Sequence, residues 1–470
     1  MAAKVAPFTD MVVVLPGIMG STLAQDGRLV WAPSAGAVLR AIRTFGHSVW
    51  ALTLPAGVAD EHPADGVEPV ALMPDLHVLP GLWTAHIGYE TLLTFLRSPR
   101  FGLVAAGAVP ADQPANLLPV PYDWRLSNRF NARRLKSIVE PALERWRGQG
   151  GVYADAGVVF ICHSMGGLIA RWYIEREGGA EYTRKLITLG TPHRGALKAL
   201  EQLVNGVHKG IGPLTFNLTD FARSLPSLHQ LLPEYACIES PSGLLRTTET
   251  SLAPLNSTMV ADAMQFHEEL DGAGAPPEGG WDLHLLVGFR QSTATTARLV
   301  DGRVEPVSTI EMVDESGDAT VPRLAATPKW LRPNSPGITT VAERHGSLPS
   351  NQSALDILEG ILTASPVVHM GPTELELSVS VEDFVLAGEP LEVQAVVANG
   401  ARVGLQASVF DERDRRISTA PLQGSSAGYR AALGPFPAGA YRVVVAGIGA
   451  AASRVAPVTA LTLVWDGGEA

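Results

Sequence analysis

Ser164 lies in the stretch VVFICHSMGGLIARWY, where apolar residues run up to Cys162, a single hydroxyl follows, and an apolar helical pattern begins. Strand, sharp turn and helix in that order project a serine Oγ clear of the backbone, within reach of a base. The same turn sets the free N–H groups of a new helix beside an oxygen that becomes negative during acyl transfer. Covalent attack by the serine on a carbonyl is the chemistry such a setting offers. The usual spacing is G-x-S-x-G, and this chain reads Cys162-His163-Ser164-Met165-Gly166. Cysteine is larger than glycine, so slight crowding is expected where strand and helix meet. A buried serine in an ordinary strand–helix connection reads the same way locally, so its partners must decide.

A serine nucleophile needs an oxyanion cradle, an orienting acid and a base. In MVVVLPGIMGSTL, Val12 to Leu15 read as a buried strand that Pro16-Gly17 breaks. Gly17 and Gly20 then let the backbone turn N–H groups inward. Such folds take one donor from this first loop and one from the residue after the nucleophile, here the N–H groups of Ile18 and Met165. A plain glycine-rich turn is the alternative. The acid is expected between serine and base in the chain. MVDESGDATVP offers Asp314, Glu315 and Asp318. Asp318 follows a glycine just ahead of Thr320-Val321-Pro322, a strand-end position on a tight loop, whereas Asp314 and Glu315 read as solvated turn residues. Twelve histidines compete for the role of base. His163 adjoins the serine, but adjacent residues at the turn point apart. His193, in LGTPHRG, follows an apolar strand and is expected to hydrogen-bond within its loop. His345, in ITTVAERHGS, follows both the acid and a strand, and only His369 lies later; His345 is the preferred base.

PGIMGS, VPYDWRLS, CHSMGG, LGTPHRG, LPSLHQLLP, GDATVP and RHGS occur in this order between about residues 10 and 365. In that order and register they resemble the lecithin:cholesterol acyltransferase and lysosomal phospholipase A2 family. The resemblance implies an α/β-hydrolase fold with Ser164, Asp318 and His345 as triad, Ile18 and Met165 at the oxyanion positions, and Asp123-Trp124-Arg125 as a DWR positioning element. It implies attack on a lipid ester, an acyl-serine, and transfer to water or an alcohol. The lysosomal phospholipase carries an acidic residue where this chain has Ile18, so a neutral rather than acidic optimum is expected. Secreted members staple their lid with a disulfide. Here Cys162 is committed to the serine turn, so it and Cys237 are expected to be free thiols.

Two domains are the prior for a chain of 470 residues. Charged residues make up 18 % and apolar residues 46 %, enough for a large core. A net charge of −11 argues against nucleic-acid binding and against electrostatic attraction to anionic lipid heads. Lys4 with Pro7, Asp10 and Pro16 does not read as a signal peptide, and no apolar run approaches a membrane span. With few cysteines, this favours a cytoplasmic protein. His62, His77 and His86 do not match zinc spacing, and no phosphate loop or dinucleotide fingerprint occurs, so no cofactor is expected.

Strand signals at 11–15, 118–122, 157–162, 185–189, 283–288 and 338–342 alternate with helical patterns at 90–97, 131–146 and 165–176. That alternation predicts a mostly parallel sheet with helices on both faces and a site at the strands' carboxyl ends. Two insertions exceed what the sheet needs. One, about 196–280, holds the greasy GIGPLTFNLTDFARSLPSLHQLLP and reads as a cap. The other, about 31–90, carries Trp31, Trp50 and Trp83, which read either as lid and membrane-contact residues or as core. The catalytic domain is expected over 1–365. From 370 to 470, short alternating runs such as LEVQAVVA and AYRVVVAG read as an Ig-like β-sandwich, an interaction or positioning module. DERDRR at Asp411–Arg416 reads as a solvated hairpin tip.

The expected function is a serine esterase of lipid type, with transient lipid-surface contact possible. The alternative is a partner-regulated effector or scaffold, in which the sandwich recognises a protein and the hydrolase core is secondary.

Overall fold

Five-to-seven-residue runs such as MVVVL and VVFICH are apolar on both alternating faces, and every residue in them is buried. Strands of this kind belong inside a parallel sheet covered on both sides. The computed structural model of the chain describes residues 8–32, 52–74, 88–110, 112–211, 214–332, 335–364 and 375–465. Trp50, Trp83, His77, His86, His369 and most of the 31–90 insertion lie outside the described residues.

Six strands form the central sheet in the order Ile338–Val341, Asp282–Gly288, Thr183–Leu189, Val158–His163, Met11–Leu15 and Leu117–Pro119. All neighbouring pairs are parallel. These are the six strand segments expected from the sequence. The Leu117–Pro119 strand is shorter than the expected 118–122. Pro119 and Pro121 each lack an N–H for a ladder, which suits an edge and stops the strand early. Helices Asn128–Arg147 and Gly166–Arg176 pack beside the sheet. The first is capped by Ser127, whose side chain accepts from the Phe130 N–H. With the C-terminal sheets described below, this is an α/β-hydrolase fold carrying an all-β sandwich.

Register sets the site. Leu15 pairs with Cys162, His163 with Leu189, and Gly288 with Val341. The loops that follow these strands therefore leave the sheet at one level, and that level is its carboxyl edge.

The first insertion adds the strand Val67–Leu72 to Ser21–Gln25 and Arg28–Trp31, which precede it, in a three-stranded sheet. The second contributes helices Leu197–Asn205, Thr219–Ser224, Pro226–His229 and Ser257–Gly272. Its strands Ile238–Ser240 and Gly243–Leu245 join Thr296–Val300 and Arg303–Val307 in a four-stranded sheet. This sheet therefore draws on chain from beyond the Asp282–Gly288 strand as well.

Residues 375–465 contain two sheets, one of four strands and one of five. Leu391–Val397 alternates buried and exposed residue by residue, the mark of a strand with one wet face. Their apolar core is separate from that of the hydrolase. Polar bonds cross the seam, among them the Thr459 N–H donating to Glu343 Oε1 at 3.0 Å.

Glu343 is buried at this seam, and burial pushes its carboxyl up to about 7 from an ordinary 4.5, against the bonds donated by Arg344, Thr459 and Asn351. The folded chain therefore keeps a proton that the unfolded chain has released. Stability from this group is full below about 4.5 and is lost as pH rises through about 7. Denaturant unfolding followed from about pH 5 to about pH 8 is expected to lose stability, and to lose less in Glu343→Gln. Identical slopes in the two proteins would place that ionisation elsewhere.

Candidate active site

Ser164 follows the Val158–His163 strand directly, and its backbone is left-handed with φ +52°. A non-glycine residue is held there at a cost of about 1–3 kcal/mol, met by the surrounding structure. The Ser164 N–H donates to Leu189 O at 2.9 Å, and the helix Gly166–Arg176 starts two residues on. The close approach falls on Gly166: a Cβ there would lie 2.4 Å from the Pro16 carbonyl oxygen. Cys162 fits fully buried, so the crowding expected at its position is absorbed.

Ser164, Asp318 and His345 come together at this edge from three separate loops. His345 Nε2 lies 2.9 Å from Ser164 Oγ, and His345 Nδ1 lies 2.7 Å from Asp318 Oδ2. The carboxylate can only accept, so Nδ1 carries the proton and Nε2 is free to accept the serine's. The other oxygen, Asp318 Oδ1, accepts the N–H groups of Thr320 and Val321 at 3.0 and 2.7 Å. The His345 N–H donates to the Asp318 carbonyl at 2.8 Å, tying base loop to acid loop. Asp318 is buried, whereas Asp314 is exposed and its Oδ1 accepts the Ser316 N–H at 2.8 Å, as its solvated turn reading implied.

Ile18 and Met165 flank the serine on two sides. Met165 is the residue at the helix N-terminus, and Ile18 follows Gly17, whose own Cβ position would fall 2.9 Å from Ser164 Cβ. Aromatic side chains with polar handles hold that loop. Tyr122 Oη donates to Pro16 O at 2.9 Å, and Tyr89 Oη accepts the Gly17 N–H at 2.7 Å. Trp31 Nε1 donates to Met19 O at 3.3 Å, and Trp124 Nε1 to Ser21 O at 3.2 Å. Such residues bring apolar area and one directed hydrogen bond each.

His163 belongs to the site, although not as a base. Its Nε2 donates to the His345 carbonyl at 3.0 Å, and its Nδ1 accepts from Tyr89 Oη at 2.8 Å. A buried bridge therefore runs from the Gly17 N–H through Tyr89 and His163 to the backbone of His345. Burial, and then the nearby His345, hold the His163 imidazole well below the usual histidine range, so it stays neutral and keeps this donor–acceptor order. His193 hydrogen-bonds within its loop through its backbone, the N–H donating to Thr191 O at 2.9 Å, while its ring Nε2 lies 3.4 Å from Thr188 Oγ1 on the preceding strand. Sequence signal for Tyr89 was weak, a single tyrosine ahead of a helix.

Asp123, Trp124 and Arg125 do not meet the serine. Arg125 is buried and spans Asp123 at 2.7 Å and Asp65 at 2.8 Å. Ser227 Oγ donates to the Trp124 carbonyl at 2.6 Å. The element thus ties both insertions to the sheet. Trp31 is buried with its ring 4.8 Å from that of Trp124, a packing position.

Residues 103–259, which include this element and the serine turn, match the family model described as lecithin:cholesterol acyltransferase. Over these residues the chain is similar to the lecithin:cholesterol acyltransferase family. It is 28 % identical over 243 residues to the phospholipase A(1) LCAT3 of Arabidopsis thaliana, covering 48 % of this chain and 50 % of the relative. The chain thus spans about half the length of the curated relative it matches. Among solved structures it is similar to Bacillus licheniformis lipase BlEst2. Against the mature form the TM-score is 0.36 at 10 % identity, over 77 % of this chain and 95 % of that one. Against the propeptide form the TM-score is 0.38 at 11 % identity, over 98 % and 94 %. Among the described residues no helix is long and apolar enough to cross a membrane.

Cys162 and Cys237 are unlinked and buried. Burial raises the Cys162 thiol well above its usual range and pushes Cys237 up to about 12. Thiolate is the reactive form, so a disulfide-exchange reagent is expected to leave both untouched in the folded protein and to titrate both after denaturation. Rapid reaction without denaturant would contradict the buried placement. Tyr89→Phe removes the hydroxyl that joins Gly17 to His163. It is expected to lower kcat by about tenfold or more with KM little changed, because the loss is of alignment. An unchanged kcat for a short ester would reduce the bridge to packing.

Proposed function

We propose that the chain is a serine esterase of lipid type, a phospholipase or lipid O-acyltransferase working through an acyl-serine. The observation that carries this reading is the unbroken line from Asp318 Oδ2 through the His345 imidazole to Ser164 Oγ, at 2.7 and 2.9 Å, on a left-handed strand-to-helix turn. The family-model match over residues 103–259 and the named phospholipase activity of the Arabidopsis relative support a lipid ester as substrate.

In this reading His345 Nε2 takes the Ser164 proton as Oγ attacks the ester carbonyl, and Asp318 steadies the imidazolium. The Ile18 and Met165 N–H groups receive the oxyanion, each worth about 2.7–4 kcal/mol of transition-state stabilisation. His345 then protonates the departing alcohol. Water or a second alcohol, deprotonated by the same nitrogen, attacks the acyl-serine and restores the serine.

Ser164 has no exposed surface, so an ester reaches it only after covering chain moves. We assign that covering to the insertions at about 31–90 and 196–280 of a catalytic domain spanning 1–365. The two unlinked thiols are compatible with a reducing, cytoplasmic setting.

A fluorophosphonate probe is expected to modify Ser164 in the full chain, and Ser164→Ala to abolish turnover of a fluorogenic ester. Asp318→Asn is expected to cost about four orders of magnitude in kcat, while Asp314→Asn stays near wild type. The reverse ranking would move the acid to Asp314, and labelling at another residue would remove the nucleophile. Product lipids analysed by mass spectrometry with and without added alcohol then separate hydrolysis from acyl transfer.

A further inference from the structure

The hydrolase and the sandwich keep separate apolar cores, and directed polar bonds cross the seam between them. The bonds fall on the two loops that carry the acid and the base. Glu343 and Ser347 bracket His345 in the chain. Glu343 Oε1 accepts the Thr459 N–H at 3.0 Å, and Ser347 Oγ donates to the Thr459 carbonyl at 3.1 Å. Both backbone groups of one residue at the start of the strand Val458–Trp465 are therefore held by the base loop. Arg344, between them, donates from Nη1 to the Val379 carbonyl at 3.0 Å and stands 3.6 Å from Asp383.

Gln291 does the same for the acid loop. Its Nε2 donates to the Leu377 carbonyl at 2.9 Å, and its Oε1 accepts the Val379 N–H at 3.0 Å. Leu377–Val381 is an edge strand of the sandwich, and an edge presents unpaired N–H and C=O groups in pairs. The primary amide of Gln291 satisfies one such pair. On the hydrolase side the Gln291 N–H donates to the Gly317 carbonyl at 2.9 Å. The Gln291 carbonyl accepts from Thr293 Oγ1 at 2.8 Å, and Thr293 Oγ1 in turn accepts the Ala319 N–H at 2.9 Å. Gly317 and Ala319 flank Asp318.

Gln291, Glu343 and Ser347 are all buried at this seam. A buried polar group left without its partner is destabilising, so each bond resists sliding of one body on the other. A purely apolar contact would hold the sandwich on without fixing its register.

We propose that the C-terminal sandwich is a positioning part of the active site: by gripping Gln291 and the segment 343–347 it holds the Asp318 carboxylate and the His345 imidazole in line with Ser164. The assignment rests on the triad reading above. Glu343 and Gln291 are positioning residues, since neither touches the serine. Asn351 completes the grip. Its Nδ2 donates to Glu343 Oε2 at 3.0 Å, while its Oδ1 accepts the Ala354 N–H and caps the helix Gln352–Thr363.

That arrangement supplies a polarity-swap test in the full-length chain. Glu343→Gln keeps Oε1 for Thr459 but turns an N–H₂ against the Asn351 N–H₂. Adding Asn351→Asp restores an acceptor opposite the new donor and keeps a capping oxygen. With p-nitrophenyl butyrate as substrate, Glu343→Gln is expected to lower kcat about 10–100-fold with KM within about twofold, and the double variant to recover most of the loss. Gln291→Ala is expected to lower kcat similarly and to speed hydrogen exchange at the Val379 amide, without rescue by Asn351→Asp. Wild-type turnover and its loss in Ser164→Ala report separately on the esterase reading. With those in place, faster exchange at Val379 accompanied by unchanged kcat would overturn the clamp. Equal losses in the single and double Glu343 variants would overturn the role given to Glu343.

Discussion

The left-handed backbone at Ser164 is the constraint that the rest of the site answers to. A serine at φ +52° is not where an isolated chain would rest, and it is held by contacts on every side. The Leu189 carbonyl takes its N–H, while Gly166 and Gly17 leave room for Pro16 and for the serine itself. Strand register makes this possible, because Leu15 level with Cys162 delivers the Pro16-Gly17 loop beside the serine rather than one residue away. A side chain at Gly288 would meet the same difficulty from the acid's side, since its Cβ would fall 2.2 Å from that of Asp318. The strain at one residue is thus balanced by backbone that approaches closely from several strands.

Around that turn, rigidity comes from directed bonds made by large side chains. Tyr122, Tyr89, Trp31 and Trp124 each place one polar atom on the first loop, at Pro16, Gly17, Met19 and Ser21. The Tyr89–His163 bridge then carries the alignment on to the carbonyl of His345. Buried Arg125, shared between Asp123 and Asp65, fastens the insertion to the sheet beneath. The oxyanion loop, the serine turn and the base loop are in this way parts of one hydrogen-bonded assembly.

What could be read from the chain was what is written locally. Apolar runs marked most of the parallel strands, and the strand that falls furthest short is the one interrupted by Pro119 and Pro121. Ser164, Asp318 and His345 were findable because each sits where a strand gives way to a tight loop, and because family motifs recur in order. Tyr89 was not, since its partners are 72 and 74 residues away and nothing in its neighbourhood marks them. The seam was equally silent: Glu343 meets Thr459 across 116 residues and Gln291 meets Val379 across 88, through backbone groups that carry no sequence identity. Trp31 was ambiguous between lid and core because an aromatic side chain suits both, and only its burial against Trp124 decides for packing.

The account turns on a covalent acyl-serine at one residue. Rapid acid quenching of this chain with a slowly turned-over lipid ester, followed by peptide mass spectrometry, tests that directly. The account predicts an acyl mass increment on the peptide containing Ser164, appearing before steady state and absent from Ser164→Ala. Product formation with no acyl adduct at any time, or an adduct on a different side chain, would contradict it.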